Sequence, residues 1–84
     1  MIDPPKIIGV RLKALRDTTR LKQTPFADDI GVTQSAWSQY ESGKRQITLD
    51  VAVTLVERFG VTLDWIYFGD SSGLPIRLQK LSRL

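Results

Sequence analysis

The sequence predicts a compact all-α fold of five helices, and three observations lead to this prediction. Apolar residues recur at intervals of three or four along most of the 84-residue chain, which is the spacing of a helix with one buried face. Threonines stand where helices would begin and glycines where they would end, as the usual cap preferences require. No run of alternating apolar and polar residues is long enough to predict a β-strand.

The first helix is expected to begin at Asp3–Pro5, where an acidic cap residue stands before a proline of the first turn. Ile8, Leu12 and Leu15 would form its buried face, because they are four and three positions apart. The weak helix propensity of Thr18–Thr19 should end it.

The second helix is expected to end at Asp29, and its start is open between Gln23 and Thr24. Gly31 then supplies a residue that tolerates positive φ, which a tight turn between two helices requires.

The third helix is predicted over residues 34–41, with Thr33 as its cap. Two helices that cross at about 90–120° through a short turn need a small side chain where they come closest, and Ala27 fits that position. Trp37 and Tyr40 would anchor the third helix in the core, where the indole N–H of Trp37 would need a partner. The remaining side chains of this helix are short and polar, which suits the base edges of a DNA major groove.

The fourth helix is predicted over residues 49–59 after Thr48, and the fifth over residues 63–67 or 63–68 after Thr62. The inner face of the fourth helix is expected to comprise five apolar residues: Leu49, Ala52, Val53, Val56 and Phe59.

Four large residues in a row, at positions 65–68, are too many for one short helix to bury in a small core. Because exposed apolar clusters usually mark interfaces, we expect a dimer contact there, with these candidates: Trp65, Tyr67 and Phe68. Residues 1–70 are assigned to the domain. Residues 71–84 would be a short C-terminal tail, either a frayed end or part of the same dimer contact.

The composition excludes several kinds of site. The chain contains no Cys and no His, so it lacks disulfides, thiolate metal sites and the usual general base. We therefore expect no catalytic residues, no metal and no cofactor. The lack of a long apolar run and of a signal peptide favours a cytoplasmic protein that does not enter the membrane.

The formal net charge is +3, and its distribution is more informative than its size. Basic residues cluster within residues 11–22, at 44–45 and within 77–83. Such clustering is expected of a protein that binds nucleic acid, although solvated helix faces would produce it as well.

Residues 8–69 resemble the lambda-repressor-like helix-turn-helix family, which includes phage repressors and small bacterial regulators. The matching stretches are Gln23–Arg45 and Phe59–Gly69. The resemblance implies a five-helix DNA-binding domain of the lambda-repressor type, with residues 34–41 as the recognition helix in the major groove. It also implies a homodimer that binds a palindromic operator in double-stranded DNA and acts as a transcriptional regulator, expected to be a repressor.

The resemblance further implies roles for individual residues. Base contacts fall to four residues of the third helix: Gln34, Ser35, Ser38 and Gln39. Phosphate contacts fall to four residues around it: Gln23, Ser42, Lys44 and Arg45. Arg16 and Glu41 match an ion pair that ties the first helix to the recognition helix. Their opposite charges suggest the same structural role. If such a pair is partly buried, it holds the two helices together, because loss of either residue would leave the other charge without a partner.

A second interpretation stays open. The same fold could serve as a protein-interaction module, antitoxin-like or co-activator-like, whose main partner is another protein. The tail and the 65–68 cluster would then form the contact. An enzyme is the least supported class.

Overall fold

The computed structural model describes residues 1–83 as helices joined by short turns. The elements are α1 (Pro5–Thr19), α2 (Gln23–Ile30), α3 (Gln34–Ser42), α4 (Leu49–Phe59), α5 (Leu63–Phe68) and a C-terminal 3₁₀ helix (Ile76–Arg83). No β-strand lies in this part of the chain, so the all-α prediction is confirmed. Within residues 1–83, no helix has the length and apolar character needed to cross a membrane.

Threonine side chains cap three of the helices, as the sequence predicts. Their hydroxyl oxygens accept a hydrogen bond from the backbone N–H three residues on, at 3.1 Å for Thr33, 3.4 Å for Thr48 and 2.9 Å for Thr62. The predicted cap of α1 is wrong, because Asp3 precedes the cap position and its carboxylate pairs with the guanidinium of Arg11. Arg11 is only 7% exposed, and a charge so buried requires a partner.

Aromatic rings join the middle three helices. The ring of Phe26 in α2 stacks on that of Phe59 in α4, with 5.4 Å between centroids. The same Phe26 ring lies 4.7 Å from the Trp37 ring in α3, which packs edge-on against Tyr40. The predicted core residues of α1, α2 and α3 are all buried: Ile8, Leu12, Leu15, Ala27, Trp37 and Tyr40.

The predicted inner face of α4 is partly wrong. Ala52 and Leu55 are its buried residues, whereas Leu49 and Val53 are 59% and 38% exposed. Apolar residues occur on every side of α4, so their spacing alone does not identify the stripe that faces the core. The contacts of α4 with α2 and α5 select the stripe that contains Leu55.

The predicted cluster at positions 65–68 does not form an exposed surface. Trp65 and Tyr67 are 1% and 9% exposed, which corrects their assignment as dimer contacts, and Phe68 remains 49% exposed. The reason is that α5 is enclosed by α1, α4 and the N-terminal segment. Arg11 donates from Nη1 to the carbonyl of Ile66 (3.0 Å), and the amide of Asp3 donates to the carbonyl of Tyr67 (2.9 Å).

The described part of the C-terminal tail packs on the core of its own chain. Leu74, Leu78 and Leu81 are buried, and the 3₁₀ helix lies against α1. Arg77 donates from Nη2 to the carbonyl of Phe59 at the end of α4 (2.9 Å). The tail is therefore not a frayed end up to residue 83, and its part in a dimer contact stays a prediction.

Candidate nucleic-acid interface

The helix-turn-helix consists of α2, a short turn and α3. Ala27 is fully buried, and its carbonyl accepts a hydrogen bond from the amide of Val32 (3.0 Å), which closes the turn. Gly31 has φ +80° at the end of α2, the conformation that the sequence predicts for this position. The turn thus fixes the direction in which α3 leaves α2.

A glycine of α1 brings the far end of α3 close to the scaffold. A Cβ on Gly9 would lie 2.3 Å from the carbonyl oxygen of Glu41 and 2.7 Å from that of Tyr40, so only glycine allows this approach. Gly9 was not predicted from the sequence as a contact residue. Its signal was a glycine inside a helix, which costs about 1 kcal/mol relative to alanine and often marks a close approach.

Arg16 and Glu41 join α1 to the last turn of α3. The guanidinium is bidentate, with 2.6 Å from Nε to Oε2 and 3.2 Å from Nη2 to Oε1. The remaining Nη1 donates to the carbonyl of Leu21, just before α2 (2.9 Å). The hydrogen bond to Glu41 raises the pKa of Arg16 above its already high usual value, so the guanidinium keeps its charge. The structure thus contains the contact that the sequence suggested.

The carboxylate of Glu41 also accepts hydrogen bonds from two neighbouring side chains. The indole Nε1 of Trp37 donates to Oε2, so the buried indole N–H has the hydrogen-bond partner that it was expected to need. Gln23 donates from Nε2 to Oε1 (3.1 Å). Gln34 in turn donates from Nε2 to Oε1 of Gln23 (2.9 Å). A row of hydrogen bonds therefore runs from the scaffold to the first residue of α3.

The predicted base-contacting residues lie on α3 but differ in exposure. Gln34 and Ser35, in the first turn, are exposed to solvent. Ser38 and Gln39, one turn later, are half-buried. The first turn of α3 is therefore the part of the helix that is most open to a ligand.

The predicted phosphate-contacting residues at the end of α3 form an exposed turn. The hydroxyl of Ser42 donates to the carbonyl of Gln39 (3.2 Å) and accepts from the amide of Lys44 (3.4 Å). The guanidinium carbon of Arg45 lies 5.4 Å from the centroid of the Tyr40 ring, which holds the cation beside α3.

Ion pairs neutralise much of the positive charge of the basic cluster in α1. Arg11 is buried against Asp3, Arg16 is bound to Glu41, and Lys13 pairs with Asp17 at 3.2 Å. Arg11 follows Ile8 by three positions and therefore lies on the predicted buried face, which is the sequence signal for its burial. Lys22, Lys44 and Arg45 are exposed and form no ion pair within residues 1–83. Unpaired cations thus lie at the start of α2 and in the turn after α3.

A helix-turn-helix sequence profile matches residues 12–66, which covers α2 to α4 and parts of α1 and α5. The chain belongs to this family. The resemblance to its lambda-repressor-like members is thereby confirmed.

Curated relatives agree with this assignment. Antitoxin PezA of Streptococcus pneumoniae serotype 4 (strain ATCC BAA-334 / TIGR4) is 30% identical over 90% of the chain and 48% of its own length. Two proteins of Bacillus subtilis (strain 168) are also similar. The uncharacterized HTH-type transcriptional regulator YqaE is 31% identical over 73% of the chain and 53% of its own length. The SPbeta prophage-derived uncharacterized HTH-type transcriptional regulator YonR is 32% identical over 75% of the chain and 58% of its own length.

The helix-turn-helix chain spans about half the length of these relatives. No solved structure gives a significant match.

Proposed function

We propose that this helix-turn-helix chain binds double-stranded DNA sequence-specifically and acts as a transcriptional regulator, with α3 in the major groove. The observation that carries the proposal is the exposed polar first turn of α3. Exposed cations that form no ion pair within residues 1–83 lie at the two ends of the motif: Lys22, Lys44 and Arg45. The names of YqaE and YonR support the regulatory role. The proposal assigns the chain no chemical step, and it implies a cytoplasmic site of action.

Base contacts are assigned to α3. Gln34 carries a donor and an acceptor on one amide, which fit N7 and N6 of adenine. Ser35 adds a hydroxyl from the same exposed turn, whereas Ser38 and Gln39 would reach bases from half-buried positions. Sequence preference should therefore depend most on Gln34.

Phosphate contacts are assigned to the two ends of the motif. Lys22, at the cap position of α2, makes no side-chain cap hydrogen bond, so the amide N–H groups of Gln23 and Thr24 are available to an anion. Beyond α3, the exposed turn of Ser42, Lys44 and Arg45 offers a hydroxyl and two cations. Such contacts fix the register of the protein on the duplex without reading its sequence.

The operator is proposed to be palindromic and the protein a homodimer that represses transcription. Paired recognition helices lie about 34 Å apart on DNA. The largest dimension of the described chain is 30 Å, so one copy cannot reach two successive half-sites. A groove between α4 and α5 is lined by four exposed apolar side chains, Ile2, Leu49, Leu63 and Phe68, which a second copy would cover.

Selection of bound sites from random duplex DNA, followed by titration at several salt concentrations, tests the proposal. The logarithm of the association constant should fall with log salt at about −0.9 per neutralised phosphate.

Gln34→Ala should relax the preference at one base pair and cost about 1–3 kcal/mol there. Lys44→Ala should weaken all sequences alike, and Lys80→Ala on the 3₁₀ helix is the matched control. A lack of any selected sequence, or an affinity independent of salt, would contradict the proposal.

The similarity to antitoxin PezA favours a second candidate, an antitoxin-like role with a protein partner. The match covers 48% of PezA, so the antitoxin role comes to this chain only as a proposal. The groove between α4 and α5 offers an apolar surface for such a partner. Stable co-purification with the product of a neighbouring gene, lost in Phe68→Asp, would support this candidate over the first.

A further inference from the structure

Glu41 has a property that its neighbours lack: its ionised carboxylate accepts hydrogen bonds and cannot donate them. Its side chain is 6% exposed and receives four hydrogen bonds from three residues. Oε2 accepts from Nε of Arg16 and Nε1 of Trp37, and Oε1 accepts from Nη2 of Arg16 and Nε2 of Gln23. The group is therefore held in one orientation by partners on three helices.

This property determines how the amide of Gln23 is turned. An amide next to a carboxylate must present its N–H₂ end, since its oxygen would be repelled. The Nε2 atom of Gln23 faces Glu41 at 3.1 Å, so the Oε1 atom points away from it.

The orientation of Gln23 in turn determines that of Gln34. The oxygen of Gln23 receives Nε2 of Gln34 at 2.9 Å, and an inverted Gln34 would place two amide oxygens against each other. Gln34 is thus left with Oε1 and the second hydrogen on Nε2 for a ligand.

We propose that Glu41 is a positioning residue for specificity: through Gln23 it fixes which way the Gln34 amide faces, and so which base pair Gln34 accepts. The inference rests on the proposed function. In the fixed orientation the acceptor and donor of Gln34 match the N6 donor and N7 acceptor of adenine. The inverted amide presents the two groups in the opposite order and fits a different base edge.

Glu41→Gln is the direct test, because a glutamine can present either a donor or an acceptor to Gln23. The base pair read by Gln34 is first located with wild-type protein and Gln34→Ala. Wild type should prefer one base pair there by roughly 5- to 150-fold. In Glu41→Gln this preference should fall to a few-fold at that position, with the preferences at other positions retained. Affinities for the four single-base variants of the operator are the readout, since a purely structural loss would weaken all four alike.

Two further variants keep the test decisive if Glu41→Gln does not fold. The double variant Arg16→Met with Glu41→Gln removes both charges, so no ion is stranded. Gln23→Met interrupts the row of hydrogen bonds and leaves the Arg16–Glu41 pair intact. Both should lose the preference at the Gln34 base pair. Trp37→Phe is the matched control, because it removes one donor to Glu41 without touching either amide, and it should keep the preference.

The outcomes separate the two proposals. If wild type selects no DNA sequence, the proposed function fails. If wild type selects a sequence and the folded Glu41 and Gln23 variants keep the full preference at the Gln34 position, the positioning role is overturned. If Trp37→Phe loses the same preference as Glu41→Gln, general loosening of α3 explains the effect and the positioning role is likewise overturned.

Discussion

At the scale of single residues, Tyr67 links the core to the segment between α3 and α4. Its hydroxyl donates to the carbonyl of Ile47 (3.2 Å) from a buried position. Burial raises the pKa of Tyr67 above its usual value near 10, and the nearby Tyr40 adds to the shift. The side chain is therefore neutral in the folded protein over the physiological range.

This shift makes stability depend on pH in the alkaline range. A pKa raised by folding contributes stability that is fully present below the unfolded value, about 10, and is lost as the pH rises through the folded value. Tyr67→Phe should be about 1 kcal/mol less stable than wild type at pH 7, through the lost hydrogen bond. This difference should shrink above a pH of about 10. Urea unfolding from pH 7 to pH 11 measures it, and a constant difference would refute the assignment.

At the scale of elements, the crossing of α1 and α3 depends on Gly9. Glycine inside a helix is normally less favourable than alanine by about 1 kcal/mol, so Gly9→Ala would stabilise a free helix. Here the added Cβ would meet the backbone of Tyr40 and Glu41, which cannot move aside like a flexible side chain.

We therefore expect Gly9→Ala to destabilise the protein by about 1–3 kcal/mol or more. DNA affinity should fall with it, because the last turn of α3 must shift. Val10→Ala, at the neighbouring exposed position, is the control and should change stability by less than about 0.5 kcal/mol. Thermal and urea unfolding of both variants give the comparison. A Gly9→Ala protein as stable as wild type would show that the helices can separate without cost.

The sequence predicts the bounds of the helices better than it predicts which side of each helix faces the core. Their bounds follow from local chemistry, so Thr33, Thr48 and Thr62 predict three of the starts correctly. The inward-facing side of α4 depends on which neighbours it meets, and the apolar pattern therefore did not distinguish Leu55 from Val53. Trp65 was assigned to the surface for the same reason: the cover provided by the N-terminal segment is not visible in the sequence of α5.

At the scale of the whole molecule, the proposed homodimer predicts a concentration-dependent assembly. Phe68→Asp places a charge in the apolar groove between α4 and α5, so the dimer should dissociate while the fold persists. Operator affinity should fall because a single copy contacts only one half-site. Analytical ultracentrifugation and circular dichroism report the two properties. Ile76→Asp, an exposed apolar position outside this groove, is the control. Wild-type protein that stays monomeric on its operator would contradict the prediction.

For the candidate site, the sequence predicted where its residues lie along the helices better than it predicted the hydrogen bonds between their side chains. The residues expected at the interface lie at the start of α2, on α3 and on the turn that follows it, since a helix-turn-helix pattern fixes their order along the chain. The contacts of Glu41 with Trp37 and Gln23 could not be predicted, because they depend on how three helices meet in space. The pairing of Gln23 with Gln34, eleven positions apart, arises in the same way.

The tail has a practical consequence for anyone who wishes to transplant this motif. The stretch that carries the family's sequence signature, residues 12–66, is shorter than the unit that folds. Ile8 lies before it, and Leu74, Leu78 and Leu81 lie after it, yet all four are buried. A graft limited to the signature would also omit Gly9 and would carry the recognition helix without the surfaces that orient it. The transferable module is the longer segment, from Asp3, which pairs with the buried Arg11, to Leu81.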